Sequence, residues 1–194
     1  MNNYNEYIVR ITDILGRWVW DKTYNNKIVE ATQIIKDSNL VVAFGNGASC
    51  TLANHLVSDI SKNSNTMALS LSLPSTLTAI ANDDKFENVF KTQLEWITSL
   101  KFKQICVIAI SSSGESANIV ECLRSIHNRP EIKIIALSGF KSTNIVATLA
   151  DISFFVNSNN YGIVEACHGI ILHNIINQVL GVKYENPVGE AIYK

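Results

Sequence analysis

The stretch Ser111-Ser112-Ser113-Gly114-Glu115-Ser116 sets four hydroxyls and a glycine side by side. Upstream, Gly45-Asn46-Gly47-Ala48-Ser49 is a second run of small residues, built around an amide. Small residues let a main chain approach a bound group, and free amides at a helix start favour an anion. Lys and Arg are absent from both runs. A phosphate gripped there is gripped by neutral donors and helix dipoles, which suits a small phosphorylated metabolite. One such loop alone is ordinary capping and turn chemistry; two at matching strand ends outweigh that reading. Neither run has the G-x-x-x-x-G-K-S/T spacing of a nucleotide P-loop, and the G-x-G-x-x-G fingerprint fails at Cys50. Ser138-Gly139 is a weaker third instance.

Titratable residues form a second set. His55 and Asp59 are four apart, so on a helix they share a face and could grip one metal or serve one substrate. Glu165, His168 and His173 interrupt an apolar run from Ile163 to Ile176, where an ionisable group needs a partner or a task. Glu165 and His173 are eight residues apart. On one straight helix that is about 12 Å along the axis and about 80° around it. They reach one ion only if the helix starts after Glu165; otherwise they serve sites in different subunits. Asn82-Asp83-Asp84 reads as a turn, or as an amide and a carboxylate for sugar hydroxyls. His127, beside Asn128 and Pro130, reads as a surface residue.

The elements that carry these residues alternate. Leu40–Phe44, Met67–Leu71, Ile105–Ile110, Ile132–Leu137 and Ile152–Val156 are short apolar runs rich in β-formers. Continuous runs of that kind fit strands buried on both faces of a parallel sheet. Helices are expected at 27–37, 49–62, 74–99 with a break near 82–85, 116–127, 142–149 and 164–180. Before them, Tyr4, Tyr7, Ile8, Ile11, Leu15, Trp18 and Val19 form the stripe of a helix over about 4–20. That stripe packs on its own domain or on another subunit. The sum is an α/β fold of about five parallel strands, whose polar loops follow the strands' carboxyl ends, where ligands bind in open sheets. The tail 184–194 carries no assignment.

The chain has 194 residues, 47% hydrophobic and 17% charged, with net charge −1. That length and composition fit one globular domain spanning 1–194. The charge balance argues against a nucleic-acid partner. No uninterrupted run of 18 apolar residues is present, so no membrane span is expected, and the polar start MNNYNEYIVR lacks the order of a signal peptide. Cys50, Cys106, Cys122 and Cys167 have no C-x-x-C spacing. Reduced thiols and a cytoplasmic location follow.

The order of these motifs resembles the sugar isomerase (SIS) domain family. The motifs are GNGAS, a helix with His55 and Asp59, Asn82-Asp83 with Phe86 and Phe90, SSSGESAN, Leu137-Ser138-Gly139, and Glu165, His168 and His173. Within that family the His55 and His173 helices resemble the phosphoheptose isomerase branch, over about residues 4–180. The resemblance implies a three-layer αβα sandwich of flavodoxin-like type, and a homotetramer with active sites at subunit contacts. It implies that Ser111, Ser112, Ser113 and Ser116 hold the phosphate. Asn46, Gly47, Ala48, Ser49, Asn82, Asp83 and Glu165 would line the sugar. Asp59 and His173 would be the base and acid. One zinc ion per subunit would lie near His55, Asp59, Glu165 and His173. The chain departs from the branch at Asp59, commonly Glu; at Glu165, commonly Gln; at Ala48 in a GNGGS loop; and at Gly162, often Asp. Two other readings stay open: a non-catalytic sugar-phosphate sensor or docking protein of the replication-initiator-binding type, and an isomerase of another phosphorylated sugar.

Overall fold

The structure, a computed structural model, describes residues 5–183. Tyr4 and the tail from 184 lie outside them. Strands Leu40–Gly45 (β1), Met67–Ser70 (β2), Ile105–Ser111 (β3), Ile132–Ser138 (β4) and Ile152–Phe155 (β5) pair in the order β2-β1-β3-β4-β5, every neighbour parallel. The expected α/β sheet is therefore present. β1 and β3 are buried along their whole length. The two edges differ from expectation. β2 exposes Met67 and Leu69, and β5 alternates buried with half-buried residues. A strand with one neighbour lies at the rim of the helical layers, so the helices cover it less fully than they cover β1 and β3.

Helices Glu6–Trp20 (α1), Lys22–Asp37 (α2), Ala48–Asn63 (α3), Pro74–Asp83 (α4), Val89–Thr98 (α5), Ala117–Ile126 (α6), Ile145–Thr148 (α7) and Tyr161–Leu180 (α8) cover the sheet. One core joins Val41, Ala43, Ile108, Ile110 and Leu137 to α2, α3 and α8. The other joins Leu40, Val42, Phe44, Val107 and Ala109 to α4, α5, α6 and α7. The two-residue alternation along each strand supplies both cores.

Caps explain the boundaries that the pattern misplaced. α2 starts five residues early because the Asp21 carboxylate accepts from Thr23 N at 2.8 Å and Tyr24 N at 3.2 Å. α8 starts at Tyr161 because Asn160 Oδ1 accepts from Ile163 N at 3.2 Å. It ends at Gly181, whose φ of 67° is the left-handed stop. The expected break after Asp83 is real: a 3-10 turn, Phe86–Asn88, separates α4 from α5.

α1 divides the apolar stripe between two sides. Ile11, Ile14 and Trp18 rest on the α2/α8 core, while Tyr7, Ile8, Val9, Val19 and Trp20 are exposed. α8 is the one helix among the described residues long and apolar enough to be tested as a membrane span. Its best window has a mean hydropathy of 1.2, enough by length and composition for a membrane span. Glu165, His168 and His173 break the run that the sequence reading counted. The helix lies in the core beside α2 and α3, with eight residues buried.

Connectivity sets the site. α3 leaves β1 toward β2, and α6 leaves β3 toward β4 on the other side. The crossovers after β1 and β3 therefore run to opposite sides, and the loops that start them lie side by side at the switch point of the sheet, where open α/β sheets bind ligands.

Candidate functional site

The two small-residue loops meet at that switch point. Asn46 Nδ2 donates to Asn118 Oδ1, and Asn118 Nδ2 donates to Asn46 Oδ1, each at 2.9 Å. Asn118 Oδ1 also accepts from Ile119 N at 3.0 Å. Asn118 was not among the sequence candidates. Its signal was an amide two residues after Ser116, on the first turn of a helix that is otherwise apolar on its inner face.

The serine loop is shaped by its own hydroxyls. Ser111 Oγ accepts from Gly114 N at 3.1 Å and lies 3.4 Å from Ser116 Oγ. Ser113 Oγ accepts from Glu115 N at 3.2 Å. Ser111 and Ser112 are buried, and Ser113 and Ser116 are half-exposed. At the start of α6 the Ile119 amide is taken up by Asn118 Oδ1 and Ser116 O, and the amides before it have no helical partner and point out of the helix end. Ser49 is buried against Gly45, where an added methyl would come within 2.7 Å of Ser49 Cβ. Its hydroxyl is thus set deeper than Asn46, Gly47 and Ala48.

Gly114 holds the turn with φ of 68°. A side chain there would overlap Asn144 Oδ1. Asn144 is itself fixed: it donates to Ser138 Oγ at 2.9 Å and accepts from Ala147 N at 2.9 Å. Gly114→Ala is expected to cost about 1–2 kcal/mol for the left-handed conformation and about 1–3 kcal/mol for the overlap. Chemical denaturation reads this loss, and an unchanged midpoint would refute the tight Gly114–Asn144 contact.

The titratable set gathers elsewhere, on the seam of α3 and α8. His55 Nε2 lies 3.4 Å from Asp59 Oδ2. The His55 and His173 rings meet edge to face, centroids 5.1 Å apart. One donor atom from each of His55, Asp59 and His173 lies within 4.8 Å of the others. Leu52, Leu56, Leu172 and Ile176 line the shallow cleft around them. Two imidazoles and a carboxylate converging on one point fit a divalent cation with nitrogen and oxygen preference.

Glu165 stands outside this group. α8 already begins at Tyr161, so the alternative of a later helix start fails. The Asn82–Asp83 pair closes α4; both residues are exposed, and Asn82 Nδ2 donates to Asp83 Oδ1 at 3.0 Å. The turn after it packs on α6, the helix that the serine loop opens. Along the helices that carry it, the seam is set back from their N-terminal ends. His55 and Asp59 lie about 10 Å and about 16 Å along α3 from Ala48, and His173 about 18 Å along α8 from Tyr161. A second cleft of about 680 Å³ separates α1 from the 155–160 loop and carries Tyr7, Arg10, Arg17 and Asn157. It contains none of the expected site residues.

His168 is wholly buried. Burial pushes its pKa down to about 4, tempered by the Ser138 main chain. The four cysteines are free, and burial raises the Cys106, Cys122 and Cys167 thiols. His127 is on the surface, as expected.

Residues 6–139 match the SIS domain family. The chain is 30% identical to the phosphoheptose isomerase of Colwellia psychrerythraea over 182 residues, 90% of each chain. It is 30% identical to the phosphoheptose isomerase of Aquifex aeolicus over 170 residues, 81% of this chain and 86% of that one. The solved structure of phosphoheptose isomerase GmhA from Neisseria gonorrhoeae is similar at a TM-score of 0.77 and 26% identity, covering 93% of this chain and 96% of that one. Likeness of that extent, in sequence and in fold together, makes this chain a member of the SIS domain family, within its phosphoheptose isomerase branch.

Proposed function

We propose that the chain interconverts sedoheptulose 7-phosphate and D-glycero-D-manno-heptose 7-phosphate through an enediol. The observation that carries this reading is the meeting of His55, Asp59 and His173 on one seam, in a chain whose serine loop occupies the switch point. An aldose–ketose isomerisation needs a base beside the carbon and an acid beside the oxygens. Asp59 takes the proton from carbon, and His173 gives one to oxygen; the roles reverse with direction. Asp59 Oδ2 faces His55, which leaves Oδ1 for the proton.

Ser111, Ser112, Ser113, Ser116 and the first amides of α6 seat the phosphate, with Ser113 and Ser116 the more open pair. Asn46, Gly47, Ala48, Ser49, Asn82 and Asp83 line the sugar. The phosphate grip holds the reacting carbons in place. His55, Asp59 and His173 would hold a zinc ion, one per subunit. When bound, zinc polarises substrate oxygens.

The working unit in this reading is a homotetramer of single SIS domains, in the cytoplasm. The exposed apolar side of α1, and the setting of His55 and Asp59 about 10 Å and about 16 Å along α3 from Ala48, support it. A loop from one subunit then serves the seam of another, and Glu165 serves the sugar of a site other than that of its own His173. Free cysteines agree with a reducing compartment.

The test pairs metal analysis of the purified protein with a turnover assay on sedoheptulose 7-phosphate. Zinc near one per subunit with turnover is the expected result. Turnover only on another phosphorylated sugar reassigns the substrate. Neither metal nor turnover makes the protein a binder and refutes the reading.

A further inference from the structure

Among the described residues, two buried polar side chains lie outside hydrogen-bonding geometry: His168 at both ring nitrogens, and Ser112 at its hydroxyl. Native structures seldom leave such groups unpaired. These two belong to one place. β4 ends at Ser138, in register with Ser111 of β3. Gly139 N donates to Ser112 O at 2.9 Å. Gly139 lies so close under α8 that a methyl on it would come within 2.7 Å of Val164 Cγ2 and 3.1 Å of Ser112 O. Val164 is one turn before His168 on the same helical face. The imidazole faces the Ser138 main chain.

A residue needed only for packing here would match its buried neighbours Ile171, Leu172 and Ile175. An uncharged imidazole instead has one N–H to give and one lone pair to accept. Ser138 O already accepts from Val156 N at 2.8 Å, and a second lone pair remains. The Ser112 hydroxyl can donate.

We propose that His168 is a positioning residue for the phosphate grip, donating to the Ser138 carbonyl and accepting from the Ser112 hydroxyl, directly or through one enclosed water. The contact keeps the buried Ser112 hydroxyl turned inward, so that Ser112 meets the anion through its main chain, and leaves the Ser113 and Ser116 hydroxyls facing it. It also ties the height of the serine loop to α8, the helix that carries Glu165 and His173. This rests on the serine loop as the phosphate seat in the proposed function.

The test measures inorganic phosphate affinity by calorimetry, and kcat and KM for sedoheptulose 7-phosphate. The proteins are wild type, S112A, H168L, H168Q and S112A/H168L. H168L is expected to keep its helical content and oligomer size and to bind phosphate about 10-fold more weakly. KM should rise more than kcat falls. H168Q, which keeps a donor and an acceptor, should recover most of the loss. The double variant should bind no more weakly than H168L, because the two groups act as one contact. Unchanged phosphate affinity in H168L, or losses that multiply in the double variant, would overturn the proposal. If H168L does not fold, S112A decides: an affinity equal to wild type overturns it, and a weaker one supports it. The phosphate titrations judge this inference and the turnover assay judges the isomerase reading, so the two fail separately.

Discussion

Asp59→Asn lowers kcat for sedoheptulose 7-phosphate by about 10²–10⁴-fold, the range for a lost general base. The amide keeps the size of the carboxylate and can still meet His55, which lies 3.4 Å from Oδ2. What it cannot do is accept a proton from carbon. Phosphate affinity should stay at the wild-type value, because the serine loop joins β3 to α6 while Asp59 lies on α3, about 16 Å along that helix from Ala48. Metal analysis of the same variant adds a second reading. Full metal with lost turnover assigns the defect to proton transfer; lost metal assigns part of it to ligation. A variant with wild-type kcat removes Asp59 from the mechanism.

In the proposed homotetramer, subunits forced apart are expected to lose turnover by at least about 100-fold, the cost expected when reacting groups are misplaced. The charged pair of substitutions Ile8→Asp and Trp20→Asp is suited to this. Ile8 is 60% exposed and Trp20 86% exposed, and no residue of α1 is buried in the single chain. The substitutions therefore spare the core and act on association. Their neighbours Tyr7, Val9 and Val19 complete an apolar surface that a lone soluble chain gains nothing by showing. Sedimentation gives the subunit number, circular dichroism the helix content, and the isomerase assay the activity. A demonstrated monomer with full turnover would end the reading of a site shared between subunits.

Much of this architecture is visible in the primary structure, for identifiable reasons. Ile105–Ile110 and Leu40–Phe44 are strands packed from both sides, so their apolar runs are unbroken. The helix after Pro74 begins where a missing N–H costs nothing. Met67–Leu71 shows the limit of the same signal, since an apolar run does not say whether its strand has one neighbour or two. The loops were legible because small residues and hydroxyls after strands have a direct chemical meaning. His55 with Asp59 was legible through helical spacing. Their union with His173 came only through the family resemblance; spacing alone could not give it, because it depends on α3 and α8 lying side by side. Asn118 escaped for a related reason, because its partner Asn46 lies 72 residues away at the end of another strand; Asn144 bonds within its own loop, to Ser138 six residues earlier.

The reciprocal amide pair joining Asn46 to Asn118 also restricts how such a protein can diversify. Each side chain gives one proton and takes one, so the pair is satisfied only while both ends remain amides. Aspartate at either end sets two acceptors against each other, and leucine strands the opposite amide. In the proposed site, a change of sugar preference therefore falls to positions outside the clasp, such as Ala48 and Glu165, which can change one at a time.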